Sequence, residues 1–166
     1  MRLLAVFLVL ASQLLFAGSL LAQQNGKNSQ TTTCSFDDEK QISVQYSSVS
    51  TNEKLPFGKV WTPNGSPMVL FSQTDLTVGK TEIPVGAYTM FVIPGKENWT
   101  LIINKNVTPG SKYDESQDLV RVPMDTGQLG SPEKQLSVIF GHVGPKHCSM
   151  RIYYGKVGAW ADFFQK

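Results

Sequence analysis

"IPVGAYTMFVIPGKENWTLIIN", Ile83–Asn104, decides how the chain folds. Two apolar runs, Ala87–Ile93 and Trp99–Ile103, flank a turn signal at Pro94–Gly95. Successive side chains of a strand point to opposite faces, and here both sets are apolar. A hairpin of this kind belongs at the centre of a sheet packed on both sides.

Strand signals continue outward in both directions, and helix signals are nearly absent. Before the hairpin, "QISVQYS" (Gln41–Ser47) sets Ile42, Val44 and Tyr46 against polar neighbours, which suits a strand with one wet face. "PMVLFSQ" and "TDLTV" follow, and then Gly79–Lys80, a two-residue turn with glycine first, as a type II′ hairpin wants. After the hairpin come Leu119–Met124, Gln135–Phe140, Cys148–Tyr154 and a last strand around Ala159–Phe164. The stretch "FGKVWTPNGSPMVLF", Phe57–Phe71, reads as strand, turn and strand, with Trp61 packed and Thr62–Pro67 a tolerant turn. The one sizeable irregular segment is Asn104–Asp118. The expected fold is all-β, an antiparallel sandwich or partly closed barrel of about nine short strands.

The N-terminus is a separate matter. Arg2, an apolar run and a small residue at Ala22 match a secretory signal peptide over residues 1–22. Ser12 and Gln13 divide the run, whereas a spanning helix wants about 20 uninterrupted apolar residues. Gln23, not a cysteine, stands directly after Ala22, and Cys34 is too far on to carry a lipid, so no stable membrane anchor is expected once the signal is removed. Residues 23–33, "QQNGKNSQTTT", are polar without apolar periodicity and read as a disordered leader. A single domain over residues 34–166 remains, with a periplasmic or secreted destination. The chain carries 15 basic and 13 acidic side chains, and loss of Arg2 brings them closer to balance. That leaves no electrostatic footprint for nucleic acid. Cys34 and Cys148 are an even pair in an exported chain, which favours a disulfide over the rival reading of two buried thiols.

Catalytic signatures are weak. Gly79–Lys80–Thr81 lacks the glycine of a phosphate-binding loop, since Thr74 stands in its place. Ser66 and Ser131 sit in Gly-Ser-Pro turns rather than a nucleophile elbow. His142, His147, Cys148 and Met150 include soft metal ligands, but His147 and Cys148 point to opposite faces of a strand. The favoured reading there is a hairpin turn with two exposed histidines and a disulfide cysteine, so neither a metal nor a cofactor is expected. Tyr113, Asp114, Glu115 and Asp118 gather acids in the long loop, where general acid/base chemistry or a solvated surface are the two readings. Trp61, Trp99 and Trp160 are candidates for a sugar-stacking platform, and Trp61, beside an open turn, is the one expected to be exposed if any is.

Four segments together resemble the DUF2911 family of exported bacterial proteins. They are "ISVQYSS", "FGKVW", "VGKTEIPVGAYTMFVIPGKENWTLIINK" and "YDESQDLVRV", and the resemblance runs from about Cys34 to Tyr154. It implies a β-rich secreted domain without an established activity. Paired cysteines near the two ends of some members support a Cys34–Cys148 bridge. Relatives follow their "YGxVW" with a polar block holding arginine, asparagine and glutamate. Here that block has become "TPNGSPM", Thr62–Met68, without the arginine or the glutamate. The resulting expectation is a non-catalytic binding or envelope-associated protein, with a small molecule or an envelope glycan as partner. Its candidate binding residues are Lys59, Trp61, Tyr113, Asp114, Glu115 and Arg121. The alternatives are an extracytoplasmic hydrolase or isomerase using the acids of residues 104–118, and a purely structural module.

Overall fold

The computed structural model describes residues 28–166. The signal peptide expected over residues 1–22, and residues 23–27 of the expected leader, lie outside that span. Nine strands follow in chain order: β1 (Ser29–Ser35), β2 (Gln41–Ser47), β3 (Met68–Ser72), β4 (Leu76–Val78), β5 (Thr81–Ile83), β6 (Gly86–Ile93), β7 (Trp99–Asn104), β8 (Asp118–Gly144) and β9 (His147–Gln165). All pair antiparallel in the order β1-β2-β3-β6-β7-β8-β9-β4-β5.

The β6–β7 hairpin lies inside the sheet with both faces covered. Met90, Val92, Leu101 and Ile103 enter the main core, while Phe91 and Ile102 are buried on the opposite side. The cover on that second face is the long loop before β8, whose Tyr113 ring meets Phe91 edge-on at 4.9 Å. The Gly79–Lys80 turn joins β4 to β5 with Val78 opposite Thr81. Gly79 has φ +58° and Lys80 does not go positive, the type II′ pattern.

One core joins the two halves of the sheet. It holds Ile42, Val44 and Leu70 from the β1 side together with Val138, Met150, Ile152 and Phe163 from the β9 side. The sheet therefore curls until β1 meets β8, but through separate contacts rather than a ladder. Phe140 N–H donates to Thr32 Oγ1 at 3.2 Å, Leu136 N–H donates to Val49 O at 2.7 Å, and Ser50 bridges Gln135. No barrel closes. A Cys34–Cys148 disulfide ties edge strand β1 to β9 across this seam.

The structure corrects three boundaries. Ser29–Thr33, expected in a disordered leader, are the first residues of β1, paired from Ser29 opposite Ser47 to Thr33 opposite Ser43. A polar strand needs no apolar pattern of its own when its ladder bonds to β2 and its partner carries the buried residues. Leu119–Met124 and Gln135–Phe140 are not separate strands but parts of β8, and Cys148–Tyr154 and Ala159–Phe164 are parts of β9. Register shifts at Gln128/Glu133 and Glu133/Ser137 absorb the turn formers that read as a break. Finally, Phe57–Val60 is a turn and not a strand. Lys59 N–H donates to Pro56 O at 3.0 Å, and only Trp61 touches the sheet, as an isolated bridge to Val92.

Candidate functional site

The sequence-derived candidates separate into three places. Lys59 is exposed in the Pro56–Lys59 turn. Trp61, 8 % exposed, is a core residue, edge-on to Trp99 at 6.3 Å and to Tyr154 at 5.1 Å. The remaining four, Tyr113, Asp114, Glu115 and Arg121, do come together, but as a clasp on the long loop.

Asp118 is the centre of that clasp. Its Oδ1 accepts from Asn104 Nδ2 at 2.7 Å, and its Oδ2 accepts from Tyr113 OH and from Arg121 Nε, both at 2.7 Å. Arg121 Nη2 also donates to the Tyr113 hydroxyl and lies 3.1 Å from Glu115 Oε1. Asp114 caps a short 3-10 turn, Glu115–Gln117, by accepting from Ser116 N–H at 3.0 Å. Burial, and then the bond to Asp118, push the Tyr113 hydroxyl up to about 12. Asn104, 1 % exposed, spends its amide on Asp118 and on Asp114 O at 2.8 Å. The polar capacity of these residues is directed at one another, and the product is a clasp that holds Tyr113 over Phe91.

A different face presents free groups. On β9, the even-numbered residues Cys148, Met150, Ile152 and Tyr154 point into the core, so His147, Ser149, Arg151 and Tyr153 share the outer face. Beyond Gly155, at φ +58°, the parity reverses. Ala159, Ala161 and Phe163 now enter the core, and Gly158, Trp160 and Asp162 join the outer set. Together with Gln128 and Leu129 of β8 they line an open groove of about 480 Å³. That lies within the range of roughly 300–1,000 Å³ seen for small-molecule sites.

Two glycines make the floor of this groove. Gly127 of β8 stands directly opposite Gly158 of β9. A Cβ on Gly127 would come within 3.1 Å of the Trp160 ring, and one on Gly158 within 3.3 Å of the Tyr153 ring. Both rings therefore lie against bare backbone, where any other residue would lift them. Arg151 crosses Gly141 in the same way at a looser 4.0 Å. At one end, the His147 ring stacks on Phe164 with centroids 4.3 Å apart, and its Nε2 lies 3.2 Å from Asp162 Oδ1. That contact is off the line of a directed hydrogen bond. His147 is thus half-buried, not the exposed turn histidine expected; Phe164 covers it.

His142 is exposed, with Nδ1 3.0 Å from Ser35 O. It clusters with Cys34 and Cys148, their potential ligand atoms within 4.8 Å of one another. The two sulfurs are bonded to each other, so the cluster offers no thiolate.

A comparison with protein families matches residues 27–162 to "Protein of unknown function (DUF2911)". The chain belongs to the DUF2911 family. No curated protein and no solved structure matches it. The match covers both clasp and groove, so each is part of the DUF2911 domain and neither is an appendage. The block Thr62–Met68 of this DUF2911 chain lines no part of the groove. It forms a tight turn in which Asn64 and Gly65 both take positive φ, closed by Ser66 N–H donating to Pro63 O at 3.1 Å.

Sequence reasoning missed Arg151, Tyr153, Asp162 and the glycine floor. It expected Trp61 to be packed, as it is, but did not single out Trp160, the half-buried indole that lines the groove. A usable signal was present in "GAWADFF": Ala159, Ala161 and Phe163 alternate with Trp160 and Asp162, which puts a tryptophan and a carboxylate on the non-core face.

Proposed function

We propose that this DUF2911 protein is an exported, non-catalytic binding module that holds a saccharide in the β8–β9 groove. The observation that carries this reading is the pair of aromatic rings seated over Gly127 and Gly158. Rings lying on a sheet face offer flat apolar area to the C–H face of a pyranose, and they lose little entropy in doing so. Around them, Arg151, Gln128, Ser149 and Asp162 supply the donors and acceptors that hydroxyl groups require.

Catalysis has less support. General acid/base work needs a carboxyl or imidazole free to move a proton at the substrate. Asp118 is saturated by Asn104, Tyr113 and Arg121, and Asp114 caps its own turn. His147, Asp162 and Ser149 share the groove, but His147 turns Nε2 to Asp162, and no hydrogen bond joins it to Ser149. A nucleophile with an oriented base is therefore lacking among the described residues.

Export rests on the apolar leader with its small residue at Ala22. Intact-mass analysis of the secreted protein should find an N-terminus near Gln23, and a product retaining Met1 would refute it. For the groove, the test is an amide and indole NMR titration with a panel of neutral and acidic oligosaccharides. Ligand should shift the Trp160 indole resonance, assigned through Trp160→Ala, and leave those of Trp61 and Trp99 in place. Shifts confined to the Tyr113–Arg121 clasp, or none at all, would defeat the reading.

A further inference from the structure

One charge in the groove has no ion-pair partner. The groove's charged side chains are Arg151 and Asp162, beside the imidazole of His147. Asp162 Oδ1 lies 3.2 Å from His147 Nε2 at one end of the groove. Arg151 has no ion-pair partner among the described residues. It is exposed, and it lies along the sheet over Gly141 on the same face as Tyr153. A free guanidinium is a planar fork of donors that suits a carboxylate in bidentate geometry. A neutral sugar would leave that fork to water.

From this we infer that the groove selects an acidic saccharide, a uronic-acid unit whose ring lies on Trp160 and Tyr153 while its carboxylate is taken by Arg151. The inference rests on the saccharide reading above and adds the ligand's charge. A carboxylate on C5 of a pyranose projects from the ring edge, so ring stacking and an in-plane ion pair are compatible in one pose. Arg151 precedes Tyr153 by two on the same face of β9, so the fork and the stacking ring border one groove. Discrimination then comes from Arg151, because Asp162, the groove's carboxylate, lies against His147 and makes no ion pair with Arg151.

The test compares three probes that differ in charge at one ring position: trigalacturonate, its methyl ester, and neutral maltotriose, with a glucuronate-containing hyaluronan tetrasaccharide as a second acid. Calorimetric titration of the wild-type protein should show at least one acid binding about tenfold or more tighter than the ester and the neutral sugar, the scale of one charge-assisted bidentate contact. Raising the salt should narrow the gap. Arg151→Gln keeps a polar, exposed side chain and should bring acid and ester to the same affinity, while Trp160→Ala should weaken both. Acid and ester binding alike to the wild type would overturn the charge assignment and leave the saccharide groove standing. An acid preference untouched by Arg151→Gln would also overturn it. If none of the probes binds, the saccharide reading falls and this inference with it.

Discussion

Asn64 shows how much a single residue can hide. Its composition marks a turn, and the turn is there, but at φ 54° and ψ 31° it occupies left-handed space that asparagine tolerates and alanine does not. Asn64→Ala should therefore cost about 1–2 kcal/mol, while Asn64→Gly should be close to neutral. Thermal or denaturant melts of the two variants would separate these outcomes. Trp61, three residues earlier, acts through packing against Trp99 and Tyr154. Its replacement by alanine should cost about 3–5 kcal/mol and leave ligand affinity unchanged in the protein that still folds. Tyr113 makes a third residue-level prediction. Its hydroxyl titrates at about 12 in the fold, above its ordinary value of 10.0, because burial and Asp118 oppose the phenolate. A group raised on folding contributes in full below its unfolded value and loses that contribution as pH climbs to the folded one. Stability should thus fall between about pH 10 and pH 12, and Tyr113→Phe should flatten the fall in that window when melts are run as a pH series.

At the scale of elements, β8 and β9 matter most. Each was legible only as two short strands, because turn residues interrupt the pattern at Thr126–Pro132 and around Gly155–Gly158. The chain stays extended through both places, since backbone bonds to the partner strand hold it and the bulges absorb extra residues. The bulge at Gly155 also explains why the groove escaped detection. Its lining residues on β9 are odd-numbered before Gly155 and even-numbered after it, so no single period-2 string marks them. β1 was missed for a different reason, being polar on both faces except at Cys34. It is tied at both sides, by its ladder to β2 and by the Thr32 bond to Phe140. Hydrogen exchange should find the ladder amides of Thr31–Ser35 protected alongside those of β2, and fast exchange there would contradict the observed pairing.

For the whole molecule, the seam where the sheet curls on itself is closed by side chains, isolated backbone contacts and one covalent link. The Cys34–Cys148 bond spans a sequence separation of 114, which in the chain-entropy model contributes about 5 kcal/mol against the unfolded state. Reduction should lower the melting midpoint strongly. Non-reducing peptide mapping should recover the two cysteine peptides linked; two freely alkylated thiols in protein purified without reductant would contradict the bond.

What the sequence determined by itself is everything written in local pattern. The strand class, the doubly buried β6–β7 hairpin and the Gly79–Lys80 turn follow from periodicity and backbone chemistry over a few residues. Tyr113, Asp114 and Glu115 stood out because they crowd one long loop, although their closure by Arg121 of β8 and the cover of Phe91 by Tyr113 were not legible. The groove belongs wholly to tertiary structure. Gly127 and Gly158 are unremarkable until the register of β8 on β9 sets them face to face. Trp160 and Tyr153 share a surface only because a bulge turns the strand between them. A strand's own sequence specifies which residues can face one way, but the partner strand and its register decide which of them meet.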